Sequence, residues 1–249
     1  MSLLPPRRRE PMLNVPGVLV GTLVVLLLVH LVRISLSETA DVEMLLLFSF
    51  IPARYDASVV PDATWPGGLA ADIWTFVTYA LLHADWMHLG FNAIWFLAFG
   101  TPVARRFGPV RFIAFCAVTA AAGALAHLIS HFGQLVPMVG ASGTISGMMA
   151  AATRFAFHLS FGGRGADAHR TPALPLTVAL KDTRILAFII VWFVLNLLFG
   201  LGSIPLGGGE QQSVAWQAHV GGFLAGLLLF GLFDPARAPT YRNKPPHAA

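Results

Sequence analysis

Charge is what this sequence has least of. Asp, Glu, Lys and Arg make up 11% of its 249 residues, against about a quarter in an ordinary soluble domain. A chain with 56% hydrophobic residues and a mean hydropathy of +0.69 lacks the polar groups to cover its own surface. An aqueous globule is therefore excluded, and lipid becomes the expected solvent. Cysteine is nearly absent: Cys116 stands alone in an apolar run, which excludes an internal disulfide and a thiolate metal cluster. A basic stripe is missing too. Despite a pI near 9.8, the basic residues are scattered at the ends of apolar runs, so membrane topology explains them and no nucleic-acid partner is expected.

What the sequence does contain is a series of apolar runs. A helix crosses a bilayer core with about 20 mostly apolar residues. Six stretches are candidates, at about 15–35, 86–104, 111–131, 142–160, 184–201 and 214–233. The fourth is rich in small residues and carries Arg154, which suits a helix packed tightly inside a bundle. Orientation follows from charge. With the N-terminus in the cytoplasm, Arg33 and Arg54 alone among the 16 Lys and Arg residues fall outside. The acids Glu38, Asp41, Glu43, Asp56, Asp62, Asp72, Asp85 and Glu210 share that outer side. An odd number of spans would break this positive-inside sorting.

The expectation is an all-α membrane protein of six transmembrane helices. A cytoplasmic tail covers 1–14, a membrane domain 15–233, and a polar, Pro-rich, disordered cytoplasmic tail 234–249. Arg7–Arg9 ahead of an apolar run resembles the start of a signal peptide, but no small-residue cleavage site follows at the right distance, so the run reads as a retained span. The stretch 36–73 is too long for a turn. Its apolar MLLLFSFIPARYD is too short to span, which predicts an interfacial loop between the first two spans. The Gly/Pro-rich, basic stretch 161–183 reads as a cytoplasmic loop.

Polar groups in lipid are expensive and mark function. Three sites stand out: His83, His88 and Asn92 in HADWMHLGFN, Ser142 in GASG, and His219 in AHVGGFLAG. His88 and Asn92 lie one helical turn apart and share a face. A serine hydroxyl becomes nucleophilic when a base takes its proton, and a histidine within hydrogen-bond reach supplies that base. Ser142 and His219 form such a candidate pair across two helices. The Ser142 N–H stands at a predicted helix start, where amides lack intrahelical partners. His88 and Asn92 add side-chain donors for an oxyanion. Gly143 and Gly147 on one helix, and Gly222 and Gly226 on the other, make small-residue faces that let two backbones approach closely. Each feature has a bland explanation. Serine at a helix start is usually a cap, and His30, His127 and His131 read as packing residues. The combination carries the inference.

In order and spacing, His88-xxx-Asn92, Gly140-Ala141-Ser142-Gly143 and Ala218-His219-xx-Gly222-xxx-Gly226 resemble the rhomboid proteases, over about 40–233 of the chain. The resemblance implies a six-transmembrane-helix rhomboid-like bundle, with the serine below the membrane surface in a cavity open to the outside. It implies Ser142 as nucleophile and His219 as general base, and His88, Asn92 and the Ser142 amide as the oxyanion hole. His83 becomes a structural histidine, with Gly140, Gly143, Gly222 and Gly226 in support. The expected activity is that of an intramembrane serine endopeptidase cutting transmembrane protein substrates within the lipid bilayer by a Ser-His dyad. No cofactor or metal is required. The expected location is the bacterial cytoplasmic membrane, multi-pass, with both termini in the cytoplasm.

Three positions depart from the family pattern. Thr75 follows Trp74 where the family often has arginine, and Ala104 stands where it often has glutamate. Ser146 replaces an aromatic that packs on the catalytic histidine in many members, so the support of His219 is unspecified. Rival functions are weaker. An inactive client-binding relative typically loses the serine or the histidine, and both are present. A transporter with a polar pathway leaves Gly-Ala-Ser-Gly unexplained. A zinc protease built on His83, His88 and His219 lacks His-Glu-xx-His.

Overall fold

The computed structural model describes residues 15–59, 65–157, 172–200 and 215–235. Both termini and residues 60–64, 158–171 and 201–214 lie outside the described residues, as do the expectations placed there: the tail at 1–14, most of 234–249, and the charges at Asp62, Arg164, Arg170 and Glu210.

Among the described residues the secondary structure is helical, with one isolated antiparallel bridge between Phe50 and Met138. Helix α1, Gly17–Ser35, is an unbroken Val/Leu run that starts directly after Pro16, a residue compatible with helix starts and not with interiors. Helix α2, Glu38–Phe48, is capped by Ser37, whose hydroxyl accepts from the Ala40 amide at 3.4 Å. Glu38 and Asp41 in its first turn complement the helix dipole. A 3-10 turn over Pro52–Tyr55 follows, then α3, Gly68–Thr78, and a second 3-10 turn, Tyr79–Leu81. The stretch 36–73, expected as an interfacial loop, thus holds α2, a 3-10 turn and the start of α3 among its described residues.

Helix α4, Trp86–Phe107, is capped by Asp85 and ends in Arg105 and Arg106 before Gly108. Gly108 adopts φ +75° and Pro109 restarts the chain as α5, Pro109–Ser130, the usual placement of glycine after one helix and proline at the head of the next. Helix α6, Ser142–Thr153, is short and central. Every residue from Gly143 to Thr153 is buried. It ends before the expected 160, at Arg154, whose guanidinium donates to the carbonyls of Leu174 (2.8 Å) and Leu227 (3.1 Å). That arginine closes α6 and ties it to α9. The one-turn helix α7, Leu176–Ala179, leads to α8, Thr183–Gly200, and α9 is Trp216–Phe233.

Helices α4, α5 and α9 surround α6, and α8 leans on α9. Four helices are long and apolar enough to cross a membrane: α1, α5, α8 and α9. Helix α4 is as long as α5 and carries His88, Asn92, Arg105 and Arg106. Apolar side chains point outward along α1 and α8, among them Leu28, Ile34, Ile190 and Val191. A water-soluble monomer does not expose such a continuous surface.

Two ends of the bundle hold charge differently. At one, Arg33 forms a two-pronged pair with Asp41 (2.7 and 2.8 Å), and buried Arg54 meets Asp72 at 3.2 Å and the Leu46 and Pro66 carbonyls. These are the two basic residues that escaped the charge sorting, and both clamp the segment between α1 and α3. At the other end, buried Arg106 pairs with Asp234 and lies over the rings of Phe155 and Phe230. Asp234, the first residue of the expected tail, is thus part of the packed body.

Candidate active site

Ser142 is the first residue of α6, and its position is set by the strand-like segment before it. Phe50 and Met138 exchange backbone hydrogen bonds (3.1 and 2.8 Å), the Ala53 amide donates to the Gln134 carbonyl, and the Gly140 amide donates to the Tyr79 carbonyl at 3.0 Å. The Ala141 amide donates to His83 Nε2 at 3.5 Å. The His83 carbonyl in turn accepts from Arg33 Nη1 at 2.8 Å. Burial pushes the His83 imidazole down to about 3, far below its ordinary value, so it is neutral and keeps a lone pair for Ala141. His83 thus touches the backbone one residue before the serine.

His219 lies in the first turn of α9. Its Nε2 is 2.7 Å from Ser142 Oγ. That approach is only open to glycine. A methyl group on Gly222 would strike the Gly143 carbonyl, and one on Gly226 would strike the Gly147 carbonyl. The two small-residue faces read from the sequence therefore meet backbone to backbone, directly behind the Ser–His contact. Backbone contact between helices requires residues without side chains.

His88 and Asn92 converge on Gly140. This glycine has φ +116°, a region open to glycine and strained for other residues. Its missing side chain makes room for its neighbours: a Cβ there would lie 2.6 Å from His88 Nε2 and 3.5 Å from Asn92 Nδ2. His88 Nδ1 accepts from the Ala84 amide at 3.4 Å, so the neutral ring carries its proton on Nε2, facing Gly140. Asn92 Nδ2 is buried and has no hydrogen-bond partner. An unpaired buried donor is costly, and here it sits beside Gly140, two residues before the serine. The His88 Nε2–H and the Asn92 amide thus face one small space beside Gly140, two residues before Ser142.

All nine residues singled out from the sequence lie in or behind this cluster. The histidines read as packing residues lie elsewhere. His30 is buried against the Trp86 ring, and His127 Nε2 is 3.2 Å from the Val136 carbonyl. Ser146, at the position that departs from the family, donates to the Ser142 carbonyl at 2.9 Å, so its hydroxyl proton is turned to the backbone of its own helix. The other ring nitrogen meets Asn196 on α8, whose Oδ1 is within hydrogen-bond distance of His219 Nδ1. Sequence reasoning did not single out Asn196. The signal was present, since it is a lone amide in an otherwise apolar run.

The description "Rhomboid domain" belongs to the family model that matches this chain, over residues 70–234. Among curated proteins, the chain is similar to the Rhomboid protease GlpG of Yersinia pestis (strain Pestoides F), with 24% identity over 176 residues, 70% of this chain and 54% of that protein. The GlpG of Yersinia pseudotuberculosis serotype I (strain IP32953) is 26% identical over the same shares. That of Enterobacter sp. (strain 638) is 31% identical over 78 residues, 30% of this chain and 28% of that protein. The chain spans about half, or less, of the length of these relatives. Together with the apolar helices, these matches make it an integral membrane protein.

Proposed function

The chain belongs to the rhomboid family, and from that premise we propose that it is an intramembrane serine endopeptidase that cuts transmembrane segments of other proteins. The observation that carries the proposal is the 2.7 Å contact between Ser142 Oγ and His219 Nε2, flanked by His88 and the orphan Asn92 amide. Ser142 Oγ attacks the substrate carbonyl carbon while its proton passes to His219 Nε2. The carbonyl oxygen takes up the negative charge and is met by the His88 Nε2–H, the Asn92 amide and the Ser142 N–H. When the C–N bond breaks, His219 returns that proton to the leaving amine. A water molecule then gives a proton to His219 as it attacks the acyl carbon, and collapse of the second intermediate restores the serine hydroxyl.

Six spans accommodate this chemistry: α1, α4, α5, α6, α8 and α9, with both termini cytoplasmic in a bacterial inner membrane. The shortness of α6 supports a buried nucleophile. Its 12 residues rise about 18 Å, against a hydrocarbon core of about 30 Å, so Ser142 at one end lies within the membrane's depth. The segment from α2 to α3 lies along the outer interface. A substrate must expose its backbone, and a helical amide is blocked by its own hydrogen bonds. Substrates therefore carry small or helix-breaking residues near the outer end of a span. The test is reconstitution with a single-span model substrate bearing such residues. Wild type is expected to yield two fragments, and Ser142→Ala none. Absence of wild-type cleavage across a panel of such substrates would contradict the proposal.

A further inference from the structure

His219 has two ring nitrogens and the proposed chemistry constrains both. Nε2 must be bare to accept the serine proton, so a neutral ring must carry its proton on Nδ1. The Asn196 side-chain oxygen meets that nitrogen. The orientation of the amide is fixed independently, because Asn196 Nδ2 donates to the Trp192 carbonyl at 2.8 Å, one turn back on α8. With its nitrogen committed there, the amide presents oxygen, an acceptor only, to His219. Trp192 is itself held: its indole stacks on Phe223, one turn beyond His219 on α9, with ring centroids 4.3 Å apart and planes at 23°. Two side chains one turn apart on α8 thus grip two side chains one turn apart on α9. Apart from Ile185 and Trp192, the side chains of α8 are not buried, so the amide is held by its two hydrogen bonds and not by enclosure in a core.

We propose that Asn196 is a positioning residue for the Ser142–His219 pair, which selects the Nδ1–H form of the imidazole and aims Nε2 at the serine. It supplies the support that Ser146 does not, and the assignment rests on the serine-protease chemistry proposed above. An interhelical hydrogen bond can also be simple packing glue, so the test must read the ring and not only the fold.

Full-length protein in detergent is labelled with a fluorophosphonate, with rates compared for wild type, Ser142→Ala, Asn196→Leu and Asn196→Asp. Asn196→Leu keeps the shape and removes the acceptor, and it is expected to slow labelling by about 10–100-fold, as when an imidazole on a metal loses its orienting partner. Asn196→Asp keeps an oxygen in place and is expected to recover most of the rate. Nitrogen-15 NMR of His219 in the Ser142→Ala background, with Asn196 intact, is expected to show the proton on Nδ1, and this readout survives even if Asn196→Leu fails to fold. Wild-type labelling speed in folded Asn196→Leu, or a His219 proton on Nε2, would overturn the Asn196 assignment and leave the protease proposal standing. Absence of wild-type labelling, or labelling that persists in Ser142→Ala, would overturn the protease chemistry and the Asn196 assignment with it.

Discussion

Helix α9 meets its two neighbours in opposite ways. Against α6 it offers Gly222 and Gly226 to the Gly143 and Gly147 carbonyls, and the helices touch through their backbones. Against α8 it offers large or polar side chains, with Phe223 on Trp192 and His219 on Asn196. The first contact has no slack, because the smallest side chain would already collide. It sets how far His219 is from Ser142. The second passes through side chains with rotamer freedom, so it sets how His219 is turned. Distance and orientation of the His219 ring are thus assigned to different faces of one helix.

Substitutions can separate the two. The largest effect is expected at the reacting atoms: Ser142→Ala and His219→Ala should each remove about 10⁶-fold in rate with an unchanged melting temperature, measured by labelling and thermal unfolding on the same samples. Gly222→Val should lose labelling and stability together, since it forces α6 and α9 apart. A melting temperature equal to wild type would show that the backbone contact is dispensable. Asn92→Ala should slow cleavage by about 10²–10³-fold, the loss of one oxyanion donor, with stability equal to or above wild type because a buried unpaired amide is removed.

On the α8 face the effect should be milder. Trp192→Leu gives up a stacked aromatic pair worth about 0.5–1.5 kcal/mol, lowers the melting temperature modestly and keeps labelling. The smallest effect belongs to the clamp on the α1–α2 segment. The Arg33 guanidinium holds the Asp41 carboxyl below its ordinary value. Its contribution is therefore present above the ordinary carboxylate range and is lost as pH falls through the lowered value. Acid unfolding of Arg33→Gln should lack that component.

Much of this molecule was legible in its sequence because lipid simplifies the code. Apolar runs marked α1, α5, α8 and α9 to within a few residues, and polar residues within or beside such runs flagged His83, His88, Asn92, Ser142 and His219. Three features escaped. Helix α2 and the start of α3 were hidden in the stretch taken for a loop, because each is too short to read as a span. The exceptions to charge sorting, Arg33 and Arg54, gave no hint of their carboxylate partners, since those pairings are set by folding. Asn196 was passed over because its meaning depends on a ring nitrogen 23 residues away, on a helix whose rotation the sequence does not specify.

The most direct test of the central claim is to locate the fluorophosphonate adduct by mass spectrometry on wild type, Ser142→Ala and His219→Ala. A single adduct on Ser142 is expected, absent from both variants. An adduct on another residue, or one that persists on Ser142 without His219, would contradict a serine activated by that histidine.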